Sequence, residues 1–353
     1  MMSVLMNLGD TESSTEATAA GNTESRAVAL QKIRDIVAAH ESIVVLEHEK
    51  PDGDCIGSGL GLVLGLQMMG KKALLVSQDP HPPVYDFLPG RAFHTRAGYL
   101  EPGDFSPEVA IFVDCTGPDR VGKARELAEG KVWVNIDHHI SNSNFGHINL
   151  VDPEASASGE LVMELLETLG VPLTQDIGTC LYVAIVTDTG GFRYQNTSAK
   201  TMRLAAKLLD IGVKASEVAD QVFETRSLSS LLLLKAALGT LKIYQNGRLA
   251  AVTVTREMLR SAGASPDESD GIINYPRSIA GVEVAVCFKE TEDGRGVHVS
   301  FRSRSRVDVA KIASSLGGGG HPRASGALIP GSIEEVSGKV LGMLNNLDVW
   351  TDL

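Results

Sequence analysis

The chain has 353 residues, is 43% hydrophobic and carries a formal charge of −12. That length accommodates two domains with sizeable cores, and that acidity argues against a protein coating long duplex nucleic acid through basic surface, though not against one holding a small anion locally. Cys55, Cys115, Cys180 and Cys287 form no Cys-x-x-Cys pair, and no secretory signal or run of roughly 18 apolar residues is present, so a cytoplasmic location without structural zinc or a membrane span is expected.

Residues 1–26 are rich in Ser, Thr, Ala, Gly and Glu without periodicity and predict a disordered tail. A catalytic domain is expected over 27–212. It opens with an amphipathic helix at 27–40, a strand at 43–47 and a helix at 55–69 closed by Gly70. Short apolar runs at 73–76, 110–113 and 132–136 predict further strands. Strands alternating with helices imply an α/β fold: a mainly parallel sheet with helices on both faces. Helices follow at 158–169 and 176–188, the second ending in Asp188. Thr197 is the expected cap of another, with Gly212 as its stop. Residues 213–239 predict a helical connector.

From 240 to 348 the pattern becomes that of a smaller α+β domain with a largely antiparallel sheet. Asn246-Gly247 lies between apolar-alternating runs, a hairpin signal. A second strand pair, 282–288 and 297–301, flanks Asp293-Gly294. Asp308 caps a helix reaching Leu316, and Ser332 with Glu335 forms a capping box for the last.

Chemistry-bearing residues gather at strand ends. His48 leaves the first strand, followed by Asp52 and Asp54 in His-Glu-Lys-Pro-Asp-Gly-Asp. In an open parallel sheet, ligands collect beyond the carboxyl ends of the strands, so these residues start a metal site; a helix-capping Pro-Asp-Gly turn is the plainer reading of the acids alone. Gly53 permits tight backbone there, and Gly57 and Gly59 permit close helix packing. Asp114 ends its run at the position equivalent to His48, and Asp137-His138-His139 ends the next. Asp188 closes an apolar helix, where the helix dipole disfavours a carboxylate and a cation would remove the conflict. His48, Asp52, Asp54, Asp114, His138 and Asp188 thus form an imidazole and carboxylate set whose four acids nearly balance two divalent cations. Manganese, magnesium, cobalt or iron suit it better than a Cys-rich zinc site. Asp114 is the candidate shared ligand. Such a metal pair acidifies water and stabilises an attacked phosphoryl group.

In the second domain, Gly317-Gly318-Gly319-Gly320 precedes His321-Pro322-Arg323. Backbone N–H groups of such a run converge on an anion, and His321 and Arg323 add charge-assisted contacts. Alternation along 297–302 puts Arg302 on the polar face of its strand, with Arg304 and Arg306 on that side if the strand continues.

These blocks, in this order, resemble the DHH phosphoesterase superfamily, in its branch with a C-terminal DHHA1 domain. The resemblance covers residues 27 to 348. It implies His48, Asp52 and Asp114 on one metal and Asp54, Asp114, His138 and Asp188 on the other, usually Mn2+, with Mg2+ or Co2+ as substitutes. Catalytic roles would fall to Asp114, Asp137 and His139, with Asp137 orienting a neighbouring ligand and His139 facing the scissile phosphate. Arg302, Gly318, Gly319, Gly320, His321 and Arg323 would hold the substrate's terminal phosphate or base. Length and layout are most similar to members that hydrolyse very short single-stranded RNA to 5′-mononucleotides and remove the 3′-phosphate of pAp, commonly as homodimers. Hydrolysis of cyclic or linear dinucleotides is the alternative, ahead of a pyrophosphatase or a non-catalytic nucleotide-binding module. The charged pair Glu49-Lys50 departs from the usual first block.

Overall fold

Side chains alternate across a strand, and in the first sheet this sends Ile43 and Val45 into one core and Val44 and Leu46 into another. The structure is a computed structural model that describes residues 13–100, 103, 105–346 and 350. The chain divides into two units, Met1–Thr225 and Arg226–Leu353, and the division falls inside the expected connector.

The first unit holds six parallel strands: β1 (Ser42–Leu46), β2 (Lys72–Ser77), β3 (His94–Arg96), β4 (Val109–Val113), β5 (Val132–Asp137) and β6 (Ile148–Val151). Their order is β3-β2-β1-β4-β5-β6, so the winding reverses between β1 and β4. One face packs against α1 (Ser13–Ala39), α2 (Gly53–Met68), α3 (Ser158–Thr168) and α4 (Gln175–Asp188) through Ile33, Ile56, Leu161 and Leu181. The other is covered by the 3-10 segment Pro118–Ala128, through Val121 and Ala124, and by Phe145 against Phe112. Helices α5 (Ala199–Asp210) and α6 (Ala215–Ala219) complete the unit.

Two local expectations shift. Helix α1 begins at Ser13, ahead of the expected start at 27; the Ala- and Glu-containing stretch 13–26 has no proline to stop a helix from propagating backwards. The tail expected over residues 1–12 lies outside the described residues. Ser198, not Thr197, caps α5, because its hydroxyl accepts from the Thr201 N–H at 3.1 Å.

The second unit comprises α7 (Leu228–Leu238), β7 (Lys242–Tyr244), β8 (Leu249–Val254), α8 (Arg256–Ala262), α9 (Asn274–Ser278), β9 (Val284–Glu290), β10 (Gly296–Ser303), α10 (Val309–Ser315), β11 (Gly319–His321), β12 (Ala324–Pro330) and α11 (Ile333–Asn345). Its sheet runs β11-β12-β10-β9-β8-β7. All its pairs are antiparallel except β8 with β9. Asp308 caps α10, and Ser332 and Glu335 form the capping box of α11. Among the described residues no helix is long and apolar enough to cross a membrane.

One contact positions the chemistry. A Cβ added at Gly57 would lie 2.4 Å from the Cys180 carbonyl oxygen and 2.8 Å from the Ala184 nitrogen. Helices α2 and α4 therefore pack backbone to backbone, antiparallel, with the start of α2 beside the end of α4. Gly57→Val should cost about 1–3 kcal/mol or more in urea unfolding; an unchanged midpoint would show that the two helices do not meet this closely.

Candidate active site

Three strand ends and two helix ends deliver the site. His48 follows β1, Asp114 follows β4, Asp137 ends β5 and is followed by His138 and His139, Asp52 precedes α2, and Asp188 ends α4. The neighbours β1 and β4 are where the winding reverses, and an open parallel sheet leaves a crevice at such a point.

Asp114 is the centre. Its φ of +59° is in the left-handed region, which few non-glycine residues occupy, and it turns the chain sharply off β4. Its Oδ2 lies 3.5 Å from His48 Nε2 and its Oδ1 3.6 Å from His138 Nε2. His48 Nε2 is also 3.9 Å from Asp52 Oδ1. His138 Nε2 is 3.6 Å from Asp54 Oδ2 and 3.8 Å from Asp188 Oδ2. All six expected donors come together, in two groups that share Asp114.

The rings are held from behind. His48 Nδ1 lies 2.8 Å from the Glu49 carbonyl, and His138 Nδ1 lies 3.3 Å from that of Ala155. A carbonyl only accepts, so each ring donates from Nδ1 and turns Nε2 toward the carboxylates, as metal-binding imidazoles do. His139 is set differently: its Nδ1 is 2.8 Å from Asp137 Oδ1 and 3.6 Å from Asp114 Oδ1. Asp137 is fully buried. It also accepts the backbone N–H groups of His138 and His139 and the Asn142 amide.

The acids are caps as well. Asp52 accepts the N–H groups of Asp54 and Cys55, each at 3.1 Å, at the start of α2. Asp54 accepts from Ser58 Oγ at 2.8 Å, from the Ser158 N–H at 2.7 Å and from the Gly159 N–H at 3.1 Å. It thereby caps α3, whose own N-cap residue, Ala157, makes no side-chain cap bond. Ser158 Oγ donates to Asp114 at 3.0 Å, and the Asn196 amide donates to Asp188 at 3.1 Å. Sequence reasoning missed Asn142, Ser158, Gly159 and Asn196. Ser156-Ala-Ser-Gly159 before a helix signals an N-terminus but not which distant carboxylate it receives.

Crowding shows in the protonation equilibria. Burial first, then the charges of Asp114, Asp188 and Asp52, pushes Asp54 well above the carboxylate range. Asp188 is pushed up to about 6 by burial and by Asp114 and Asp52, against the pull of His138. For Asp114, burial acts upward, but the His48 hydrogen bond and the His138 and His139 charges hold it far below the usual range. Burial opposes charge on His48, yet its Asp114 hydrogen bond and the nearby Asp52 and Asp114 charges raise it to about 9.

The donor set fits divalent metal. Among the described residues, His48, Cys55 and Asp114 offer donor atoms within 4.8 Å of one another, as do Asp114, His138 and His139. Cys55 carried no expectation as a ligand, because without a Cys-x-x-Cys pair its sequence context pointed to nothing.

In the second unit, Arg302 pairs with Ala324 and Ala324 with His321. Opposed residues in a ladder share a face, so Arg302, half-buried, and His321, exposed, stand on one row. Gly319–His321 is an edge strand rather than an open loop. A Cβ at Gly318 would meet the Gly326 carbonyl oxygen at 2.1 Å, and one at Gly320 the Ala324 oxygen at 2.6 Å. The expected convergence of N–H groups is thus corrected: in a strand they alternate, and these glycines serve close hairpin packing. Arg323 donates to the Val307 carbonyl at 2.9 Å. The strand β10 ends at Ser303, so Arg304 and Arg306 do not continue its polar face; Arg304 donates to the Arg277 carbonyl at 3.2 Å.

The family model of the DHH family N-terminal domain matches residues 42–185, and that of the DHHA1 domain matches residues 246–346. A Thermus thermophilus protein named bifunctional oligoribonuclease and PAP phosphatase NrnA is 38% identical over 305 residues, 86% of this chain and 89% of the relative. The chain belongs to the DHH family. A DHH relative of the same name from Bacillus subtilis is 28% identical over 83% of this chain and 91% of its own length. Among solved structures, an exopolyphosphatase-related protein from Bacteroides fragilis matches with a TM-score of 0.83 at 27% identity, covering 90% of this chain and 95% of that one.

With its metal-free pKa raised to about 9, His48 is protonated at neutral pH and must lose that proton to bind an ion. The sign is therefore fixed: apparent metal affinity of this DHH site should rise with pH, by about tenfold per unit for one displaced proton, and level off above about 9. Calorimetry in buffers of different ionisation enthalpy checks this. Affinity independent of pH below about 9 would show that His48 is not held protonated in the metal-free site.

Proposed function

We propose that this DHH phosphoesterase hydrolyses very short single-stranded RNA to 5′-mononucleotides and removes the 3′-phosphate of pAp. The observation that carries the reading is Asp114, with one carboxylate oxygen toward His48 and the other toward His138. The names of the Thermus and Bacillus relatives support the substrate class.

On this reading His48, Asp52 and Asp114 hold one divalent ion, and Asp54, Asp114, His138 and Asp188 hold another. Mn2+ suits these donors, as do Mg2+ and Co2+. When bound, such a pair neutralises phosphoryl charge and acidifies water for attack on phosphorus. The chain's own groups do the rest. Against the effect of burial, the Asp137 hydrogen bond and the Asp114 charge raise His139 to about 9, so the ring is an imidazolium whose Nδ1 donates to Asp137 at 2.8 Å and whose Nε2–H suits a phosphate oxygen. Arg302, His321 and Arg323 bind the substrate's terminal phosphate or base, and Gly319, where an added Cβ would meet nothing within 4 Å, leaves the edge uncrowded beside them. Four unpaired, buried cysteines support action in the reducing cytoplasm.

Product analysis in Mn2+ tests the reading, with RNA dimers and trimers, pAp, a cyclic dinucleotide and pyrophosphate offered side by side. Mononucleotides should come rapidly from the dimers and trimers, and phosphate from pAp. Preference for the cyclic dinucleotide would replace the substrate assignment, and no hydrolysis despite bound metal would overturn the function. His138→Ala and Asp54→Ala should each lower kcat by about a hundredfold or more while cooperative unfolding persists. Arg302→Ala should act mainly on KM.

A further inference from the structure

The first turn of α2 carries a thiol into the metal-binding end of the first unit. Donor atoms of His48, Cys55 and Asp114 lie within 4.8 Å of one another, and all three residues are buried. The Cys55 Sγ contacts the Val113 carbonyl, the peptide group leading into Asp114, at 3.6 Å. Metal binding would replace this S–H···O hydrogen bond by a metal–sulfur bond. His48 is already turned with Nε2 toward Asp114 at 3.5 Å and Asp52 at 3.9 Å.

We propose that Cys55 is a metal ligand. Its thiolate joins His48, Asp52 and Asp114 around one ion, and this position takes thiophilic divalent ions such as Co2+, Zn2+ or Cd2+ in preference to Mn2+ or Mg2+. The position at His138 keeps only nitrogen and oxygen donors, so the two positions differ in softness. The inference rests on His48 and Asp114 being metal ligands, as in the proposed function.

Two features separate Cys55 from an ordinary buried cysteine, which fills space as a small hydrophobe. It lies in the first turn of α2, three residues after Asp52 and directly after Asp54, both of which belong to the donor set. It is also the one cysteine grouped with other metal donors among the described residues. Cys115, whose Sγ lies 3.2 Å from the same Val113 oxygen, is in no such group and serves as the internal control. On binding, the S–H bond breaks, the proton passes to solvent and the sulfur lone pair forms the metal bond.

Cobalt added to the metal-free, full-length chain reads this directly. Wild type and Cys115→Ser should show sulfur-to-cobalt charge-transfer absorption in the near ultraviolet. Cys55→Ser should lose that band while retaining visible d–d absorption. Its Zn2+ affinity should fall about tenfold or more, with Mn2+ affinity little changed. Zinc X-ray absorption on the wild type needs no variant: one sulfur at about 2.3 Å is expected. Nitrogen and oxygen scatterers alone, or d–d bands without charge transfer, would overturn the proposal and leave the His48 and Asp114 assignment standing. Loss of the band in Cys115→Ser would overturn it equally. No cobalt absorption of any kind would sink both readings.

Discussion

Asp52, Asp54 and Asp188 converge on Asp114, and their mutual repulsion where Asp54 and Asp114 are buried is the constraint on which the first unit depends. Burying charge without compensation is costly, and the fold meets that cost with fixed dipoles and imidazoles. Asp52 and Asp54 sit on the N-terminal amides of α2 and α3. Asp114 has His48 on one side and His138 on the other. Asp188, at the wrong end of its helix dipole, has the Asn196 amide and the His138 ring nearby. The balance is incomplete, since burial and neighbouring acids still raise Asp54 and Asp188 above the ordinary range. A divalent cation would relieve what the chain leaves unsettled.

Holding such a site needs rigid elements. The sheet brings β1 and β4 together at the reversal of its winding, and the left-handed backbone at Asp114 lifts its carboxylate off the sheet edge. Strain of this kind costs on the order of 1–3 kcal/mol and persists where surrounding contacts over-determine it. Here those contacts are the Asp114 N–H to Ile136 at 2.9 Å and the Ser158 hydroxyl. The close approach of α2 to α4 at Gly57 sets Asp54 beside Asp188. A packing contact between two helices far apart in sequence thus decides the site's geometry.

The second unit uses a different device. A row running from Arg302 across Ala324 to His321 places a guanidinium and an imidazole on one sheet face with a small residue between. Glycine is demanded there by hairpin packing at Gly318 and Gly320, a reason that a Gly-rich stretch cannot disclose, because the same composition serves a cradle and an edge strand alike. Arg302 on a polar face was legible, since two-residue alternation is local. The end of β10 at Ser303 was not: the Glu283 carboxylate, from a segment twenty residues earlier, accepts the N–H groups of Ser305, Arg306 and Val307 and turns the chain away.

The sequence by itself determined the parallel sheet, the strand ends that carry His48, Asp114 and His138, and the six-residue donor set. These follow from apolar runs, periodicity and the rule that such sheets bind ligands at their carboxyl ends. Its reach stopped at contacts between segments far apart in the chain. That Asp54 caps α3, that Asn196 braces Asp188, that Asp137 holds His139 through Nδ1 and that Cys55 lies among the donors were decided by tertiary structure alone. Each of these depends on a distance between groups that only packing brings together, and no local pattern of residue types encodes such a distance.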